Sequence, residues 1–367
     1  MPESRRFSAA PTRALFGVYI FFWLVELSLL SFSDPGRTIT IEDVGSSDIV
    51  PTEVLLTFRL MTLTTVYASL GRRLLETSGS YVEEMPRFPG SHLRPMCITI
   101  GGHATFTTFT VLSWLLQGVY LTAAATCSAA ELTGYASAPL SRWLPRTAQI
   151  LFEASVPSSM LVSTVITFVI IPAQLQRGVT PYLFFATNQQ LMHCANLYVS
   201  LTELVFNRIP ILPADVGYAL LVGLLYLPLM WWFARRTHIV WYSFLDPTIP
   251  PRASLPNHIS IFCCIACYYA VAHALRPLLW SSAAVSVPLP LRIALIYMCA
   301  YPLVWTRRRG VPLSPDGRQY VPWSQGRLLW LAGRRPLPSP PWRSLEGESV
   351  QLHVQPQVER PVTCKAP

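Results

Sequence analysis

The sequence predicts an all-α fold, a polytopic transmembrane helix bundle of about eight spans with a disordered C-terminal tail, and three observations predict it. Apolar residues fill 51% of the 367 positions and charged residues only 13%, about half the charged share of a soluble domain. The apolar excess is gathered into blocks of roughly 20 residues, the length that carries a helix across about 30 Å of hydrocarbon. Arginines, finally, are distributed unevenly between alternate connectors, as the positive-inside rule requires.

The expected spans are 14–32, 54–70, 103–125, 148–172, 183–206, 214–234, 258–278 and 288–305. The second, fifth and eighth carry polar residues or prolines and are the least apolar. The first follows Arg5, Arg6 and Arg13 and is longer than the apolar core of a signal peptide. No small-x-small cleavage site follows it cleanly, so an uncleaved signal anchor is expected. Connectors rich in Pro, Gly and Arg separate the blocks, and no internal repeat is visible.

With the first 13 residues placed in the cytosol, the inside segments hold Arg5, Arg6, Arg13, Arg72, Arg73, Arg87, Arg94, Arg177, Arg235, Arg236, Arg252 and Arg307 to Arg309. The outside segments hold Arg37, Arg142, Arg146, Arg208 and Arg276, and the first outside loop is acidic, with Asp34, Glu42, Asp43 and Asp48. That asymmetry supports eight spans with both ends cytosolic, so 1–13 is a cytosolic N-terminus and 14–305 the membrane domain. An integral protein of the endomembrane system or plasma membrane is expected, with membrane lipids as its partners. Basic runs interleaved with aromatics are lacking, which argues against nucleic acid.

The Pro- and Arg-rich tail, 306–367, has no sustained apolar period and is expected to be disordered. Within it Arg335, Pro338 and Pro341 stand at the R-x-x-P-x-x-P spacing of a polyproline II ligand for an SH3-type partner. Cys263, Cys264, Cys267 and Cys299 lie in apolar stretches without a second ligand pair at zinc spacing. They are read as small buried hydrophobes, and neither a metal nor another cofactor is expected.

Polar side chains within a span are costly unless they face other helices or a wet cavity. On the third span His103, Thr107, Thr110, Trp114 and Gln117 recur at steps of four and three residues, which places them on one helical face. Gln189, His193, Asn196, Ser200 and Glu203 repeat the step pattern on the fifth span. Such stripes serve equally well as interhelical glue or as a transport path. Thr110 and His193 fall at similar depths, roughly 10 to 15 Å into their spans at about 1.5 Å per residue. Glu203 lies too far along the axis to orient the imidazole.

A threonine hydroxyl becomes a nucleophile when a neighbouring base takes its proton, and a shielded neutral histidine suits that role. The pair would open an ester or thioester through an acyl-threonine, with Gln117 and Asn196 as candidate substrate or oxyanion contacts. No G-x-S-x-G elbow is present, and no two histidines stand at the spacing of histidine-box enzymes.

These residues also carry a family resemblance. The run FTVLSWLLQGVY from Phe109 to Tyr120 resembles the threonine-bearing helix of the androgen-induced, androgen-dependent TFPI-regulating and rolling stone group of multi-span proteins. In order, SVPSSMLVSTVITF from Ser155 resembles that family's next span, MHCAN from Met192 its histidine helix, and VWYSFLD from Val240 to Asp246 its aromatic loop motif. The resemblance covers about 104–280. It implies hydrolysis of fatty acid esters of hydroxy fatty acids, with Thr110 as nucleophile and His193 as its essential partner. Rolling stone relatives are associated with myoblast fusion instead, so a non-enzymatic scaffold, fusion factor or transporter is the alternative. The chain departs from the family pattern at Ser113, where an acidic residue is usual, and at Gln190, where a further histidine is usual. Thr62, in LMTLT, mimics the threonine motif but would place two spans before the histidine instead of one.

Overall fold

The computed structural model describes residues 13–32, 39–75, 82–84, 97–99, 102–135, 138–171, 184, 187–237, 239–280 and 287–304. In chain order these give α1 (Arg13–Phe32), the short α2 (Ile41–Gly45) and α3 (Thr52–Leu75). A 3-10 segment (Gly102–Thr107) then leads into α4 (Phe109–Thr133). α5 (Ala138–Val165) runs on into a π-helical turn (Ile166–Ile170). Thr187–Gln190, the π-helical turn Leu191–Ala195 and Asn196–Phe206 form one continuous helix, α6. α7 (Val216–Thr237), α8 (Pro251–Trp280) and α9 (Leu289–Ala300) complete it. Among the described residues the departure from all-α is a pair of three-residue antiparallel strands, Val82–Glu84 and Cys97–Thr99, with Val82 opposite Thr99. The R-x-x-P-x-x-P motif and the whole tail lie outside the described residues.

Among the described residues six helices are long and apolar enough to cross a membrane: Arg13–Ser31, Thr52–Leu75, Phe109–Thr133, Arg142–Ile170, Pro213–Thr237 and Arg252–Leu279. The chain is a multi-span helical membrane protein. α6 does not qualify on composition, and the reason is its position. Its polar residues are turned inward and paired with other helices, so it needs no apolar coat. Leu289–Leu303 is apolar but shorter than the six.

Burial sorts the helices. Of the α1 window 11% is buried, against 78% of the window in α5. α1 is therefore a peripheral helix whose Phe16, Phe21, Leu24 and Leu27 face outward, as expected where lipid replaces water as the solvent. α5 is central, and Ala148, Phe152, Val156 and Met160 all belong to the main core. It tolerates Pro145 and Pro157 inside the helix. The hydroxyls of Ser155, Ser158 and Ser159 bond to carbonyls three or four residues back and so hide their polarity within the helix.

Two contacts fix the packing of the first helices on α4. A Cβ added to Gly118 would stand 2.9 Å from Val66 Cγ1 of α3, the close small-residue approach that membrane helices use. Gly45 is more constrained, because its Cβ would meet the Cys127 carbonyl oxygen at 2.7 Å. That obstacle is backbone and cannot rotate away. Gly45→Ala is expected to cost about 1–3 kcal/mol through overpacking, read as a lowered Tm for the detergent-solubilised chain.

A buried ion pair ties four elements together. Arg59 and Glu203 are both fully buried and meet side-on, with Nε to Oε1 and Nη2 to Oε2 each at 2.9 Å. The remaining Arg59 nitrogen donates to the carbonyls of Val44 and Ala124 and to Ser128 Oγ. Tyr120 and Asn207 donate to Glu203 Oε2. The end of α6 is closed by Arg276, which donates to the carbonyls of Leu204 and Asn207, a cation at a helix C-terminus. Nearby Arg208 pairs with Glu42 at 2.9 Å and with Asp48. The acidic loop after α1 and the segment after α6 therefore lie at the same end of the bundle.

Candidate functional site

The polar faces of α4 and α6 meet. Asn196 Nδ2 donates to Ser113 Oγ at 3.4 Å, Gln117 Nε2 to Ser200 Oγ at 2.9 Å, and the Tyr120 hydroxyl to Glu203 at 2.5 Å. Each pair is 83 residues apart. A constant difference means that the two helices run parallel and in step, as two spans separated by one other must. Of the stripes expected from the sequence, Gln117 on α4 and Asn196, Ser200 and Glu203 on α6 are brought together, and Ser113 and Tyr120, outside the expected stripe, supply the other α4 partners.

The upper part of the α4 stripe is different. The α-helix begins at Phe109, with Thr108 as N-cap and its hydroxyl accepting from the Val111 amide. His103 and Thr107 belong to the preceding 3-10 segment, and His103 is exposed. They do not continue the α-helical face. Thr107 instead accepts from Trp241 Nε1 at 2.7 Å. Trp114 is buried but turned towards α3, where its Nε1 donates to Ser69 Oγ. The step pattern included it because three- and four-residue steps spread over a broad arc of the helix.

Thr110 is the second residue of α4 and is buried. It lines an apolar cavity with Phe109, Leu161, Val162, Tyr226 and Tyr242, closed by residues of the α5 π turn, α7 and α8. Its hydroxyl shares a hydrogen bond of 3.4 Å with the Tyr242 hydroxyl. Tyr242 comes from the aromatic run after α7, whose role the sequence left open. Loss of solvation raises the Tyr242 phenol above its ordinary pKa, so the group stays protonated at neutral pH. The hydroxyls of Tyr226 and Tyr242 both lie beside the first backbone amides of α4, at Phe109 and, for Tyr242, Thr110. Those amides have no partner within the helix.

His193 is buried on the α6 π turn. Its carbonyl accepts from Ser163 Oγ of α5 at 2.6 Å, and its ring packs 5.6 Å from that of Phe184. Nδ1 has no hydrogen-bond partner among the described residues. Thr110 and His193 are not hydrogen-bonded to each other in this structure, and His193 does not line the cavity. A π turn carries more residues per turn than an α-helix, so His193 is rotated from where an unbroken helix would point it. Nothing in the residue types of Leu191–Ala195 announces that turn.

Gln117 and Asn196 are placed together, but not as free donors. The Gln117 amide nitrogen bonds to Ser200 and to the Asn196 carbonyl, and the Asn196 amide nitrogen bonds to Ser113. Among the described residues the ends left without partners are the acceptors, Gln117 Oε1 and Asn196 Oδ1, and neither side chain lines the cavity. Thr62 bonds back to the Phe58 carbonyl at 2.8 Å, a threonine hydroxyl satisfied by its own helix. Among the described residues no group of three or more His, Cys, Asp or Glu side chains is placed to hold a metal. Cys263 and Cys267 face outward from α8 rather than into the core.

Compared with known proteins, the chain matches no family model, no curated protein and no solved structure.

Proposed function

We propose that this protein is a membrane-embedded threonine hydrolase that cleaves lipid esters, fatty acid esters of hydroxy fatty acids among them. Thr110 would be the nucleophile and His193 the base. The observation that carries the reading is the parallel step of α4 and α6. From the Ser113–Asn196 pair, one further step of three residues along both helices makes Thr110 level with His193. The threonine so placed is the one that opens into an apolar cavity, and the histidine at the same level keeps a buried ring nitrogen without a partner among the described residues. Catalytic hydrogen bonds commonly tighten only when substrate is bound.

In the reaction Thr110 Oγ attacks the ester carbonyl carbon while its proton passes to His193. The tetrahedral intermediate collapses by breaking the bond to the leaving alcohol, which takes that proton from His193. Water, deprotonated by the same imidazole, then attacks the acyl-threonine; the bond from the acyl carbon to Thr110 Oγ breaks, Oγ takes the proton back from His193, and the acid is released.

The reading extends to topology. Counting α6 and α9 as spans gives eight, with both ends cytosolic, in the endomembrane system or the plasma membrane. The α4–α6 parallelism and the Arg208–Glu42 pair support counting α6 among them.

One observation favours the alternative of a non-enzymatic scaffold, fusion factor or transporter. Thr110 is hydrogen-bonded to Tyr242, and the α4–α6 pairs serve equally as glue. Labelling by an alkyl fluorophosphonate separates the two readings. Thr110→Ala is expected to abolish labelling, whereas Thr62→Ala retains it at the wild-type level. Undiminished labelling of Thr110→Ala would decide for the alternative.

A further inference from the structure

The cavity has one polar end and an otherwise apolar wall. At the polar end stand Thr110, Tyr226 and Tyr242. Leu161, Val162, Ile166, Leu227 and Ile261 form part of the wall. Tyr226 is buried, 5% exposed, and its hydroxyl, beside the Phe109 amide, has no acceptor for its proton among the described residues. A buried phenol proton without an acceptor is costly unless something occupies the space before it. Its ring is held in place by Phe109, edge-on at 5.1 Å, and stands 6.3 Å from that of Tyr242. The polar end also coincides with the start of α4, a helix of 25 residues, whose N-terminus carries partial positive charge and unpaired amides.

We propose that Tyr226 and Tyr242 form the oxyanion hole of this site, and that the cavity takes the acyl chain of the ester with its carbonyl oxygen towards the start of α4. This rests on the hydrolase reading and reassigns to the tyrosines the part that the sequence suggested for Gln117 and Asn196. As Thr110 Oγ bonds to the carbonyl carbon, the carbonyl π pair moves onto oxygen. Both phenols donate to that oxygen, and the pair returns to re-form the carbonyl when the alcohol leaves. Tyr242, 3.4 Å from Thr110 Oγ, is at the separation expected of a donor to an oxygen bound one carbon away. Tyr226 supplies the second donor from the opposite ring of the pair. The apolar wall has no group to match a charged or sugar-bearing chain, so a hydrocarbon chain is the ligand class.

The test uses purified full-length protein in detergent, p-nitrophenyl octanoate as the turnover probe and Thr110→Ala as the reference. Tyr226→Phe and Tyr242→Phe keep the rings and remove only the hydroxyls. Each is expected to lower kcat about a hundredfold or more, with KM changed less than threefold and Tm close to wild type. Leu227→Trp, which shortens the cavity, is expected to shift preference from octanoate to the butyrate ester, read as the ratio of their kcat/KM values. If both Phe variants turn over at the wild-type kcat while Thr110→Ala is inactive, the oxyanion assignment is wrong and the hydrolase reading stands. Turnover by Thr110→Ala at the wild-type rate, or none by the wild-type chain, overturns both. A Phe variant whose loss of kcat matches its loss of folded protein by thermal unfolding also counts against the assignment.

Discussion

Arg59→Ala is expected to destabilise the folded bundle by about 3–5 kcal/mol, the cost of leaving a buried carboxylate without its partner. The cost is large because the Arg59 guanidinium does more than neutralise Glu203. It also satisfies two backbone carbonyls and the Ser128 hydroxyl, on elements separated widely in sequence. Glu203→Ala should cost a comparable amount by stranding the arginine. Replacing both at once, Arg59→Met with Glu203→Leu, removes the two charges together and should recover much of the loss, since a well-packed apolar pair often matches a buried ion pair. The measurement is thermal unfolding of the detergent-solubilised variants. If the double replacement is no more stable than the worse single one, the pair's other hydrogen bonds matter more than its charge balance. A Tm for Arg59→Ala equal to wild type would refute the network itself.

Arg59 also shows what was and was not legible in the sequence. An arginine inside an apolar block must have a partner, and Glu203 is an acid inside another. Each signals its own burial, but only the fold says that they meet. The parallel approach of α4 and α6 was readable, because Gln117, Asn196 and Ser200 stand at helical steps and have nowhere to go but towards each other. The beginning of α4 was not. Threonines at 105, 107, 108 and 110 fit a helix by step, and the break is made by the Thr108 cap and the 3-10 segment before it. The count of spans depended on hydropathy, which α6 defeats by burying its polar groups against neighbours instead of avoiding them. Of the proposed site, half was visible. Thr110 and His193 follow from the stripes, whereas Tyr226 and Tyr242 come from α7 and from the loop after it. Aromatic residues are common in both places, and only the cavity singles these two out.

Loss of His193 should show whether it acts with Thr110 as one unit. His193→Ala removes the proposed base while leaving the hydroxyl in place, and general-base removal typically costs about 10²–10⁴-fold. Thr110→Ala removes the nucleophile, and the double variant should be no worse than Thr110→Ala alone. Residues that serve a single step are strongly non-additive, because once one is gone the other has nothing left to do. If His193 merely braces α6 through its carbonyl bond to Ser163, the outcome differs. The backbone carbonyl survives His193→Ala, so turnover of p-nitrophenyl octanoate would then fall little and only in proportion to stability. A further contrast comes from Ser163→Ala, which removes that brace but leaves the imidazole. A general base at 193 requires His193→Ala to lose far more kcat than Ser163→Ala at equal Tm. The reverse order would mean that the π turn needs its brace and the ring is dispensable, and His193 would then be a structural residue of the α4–α6 seam.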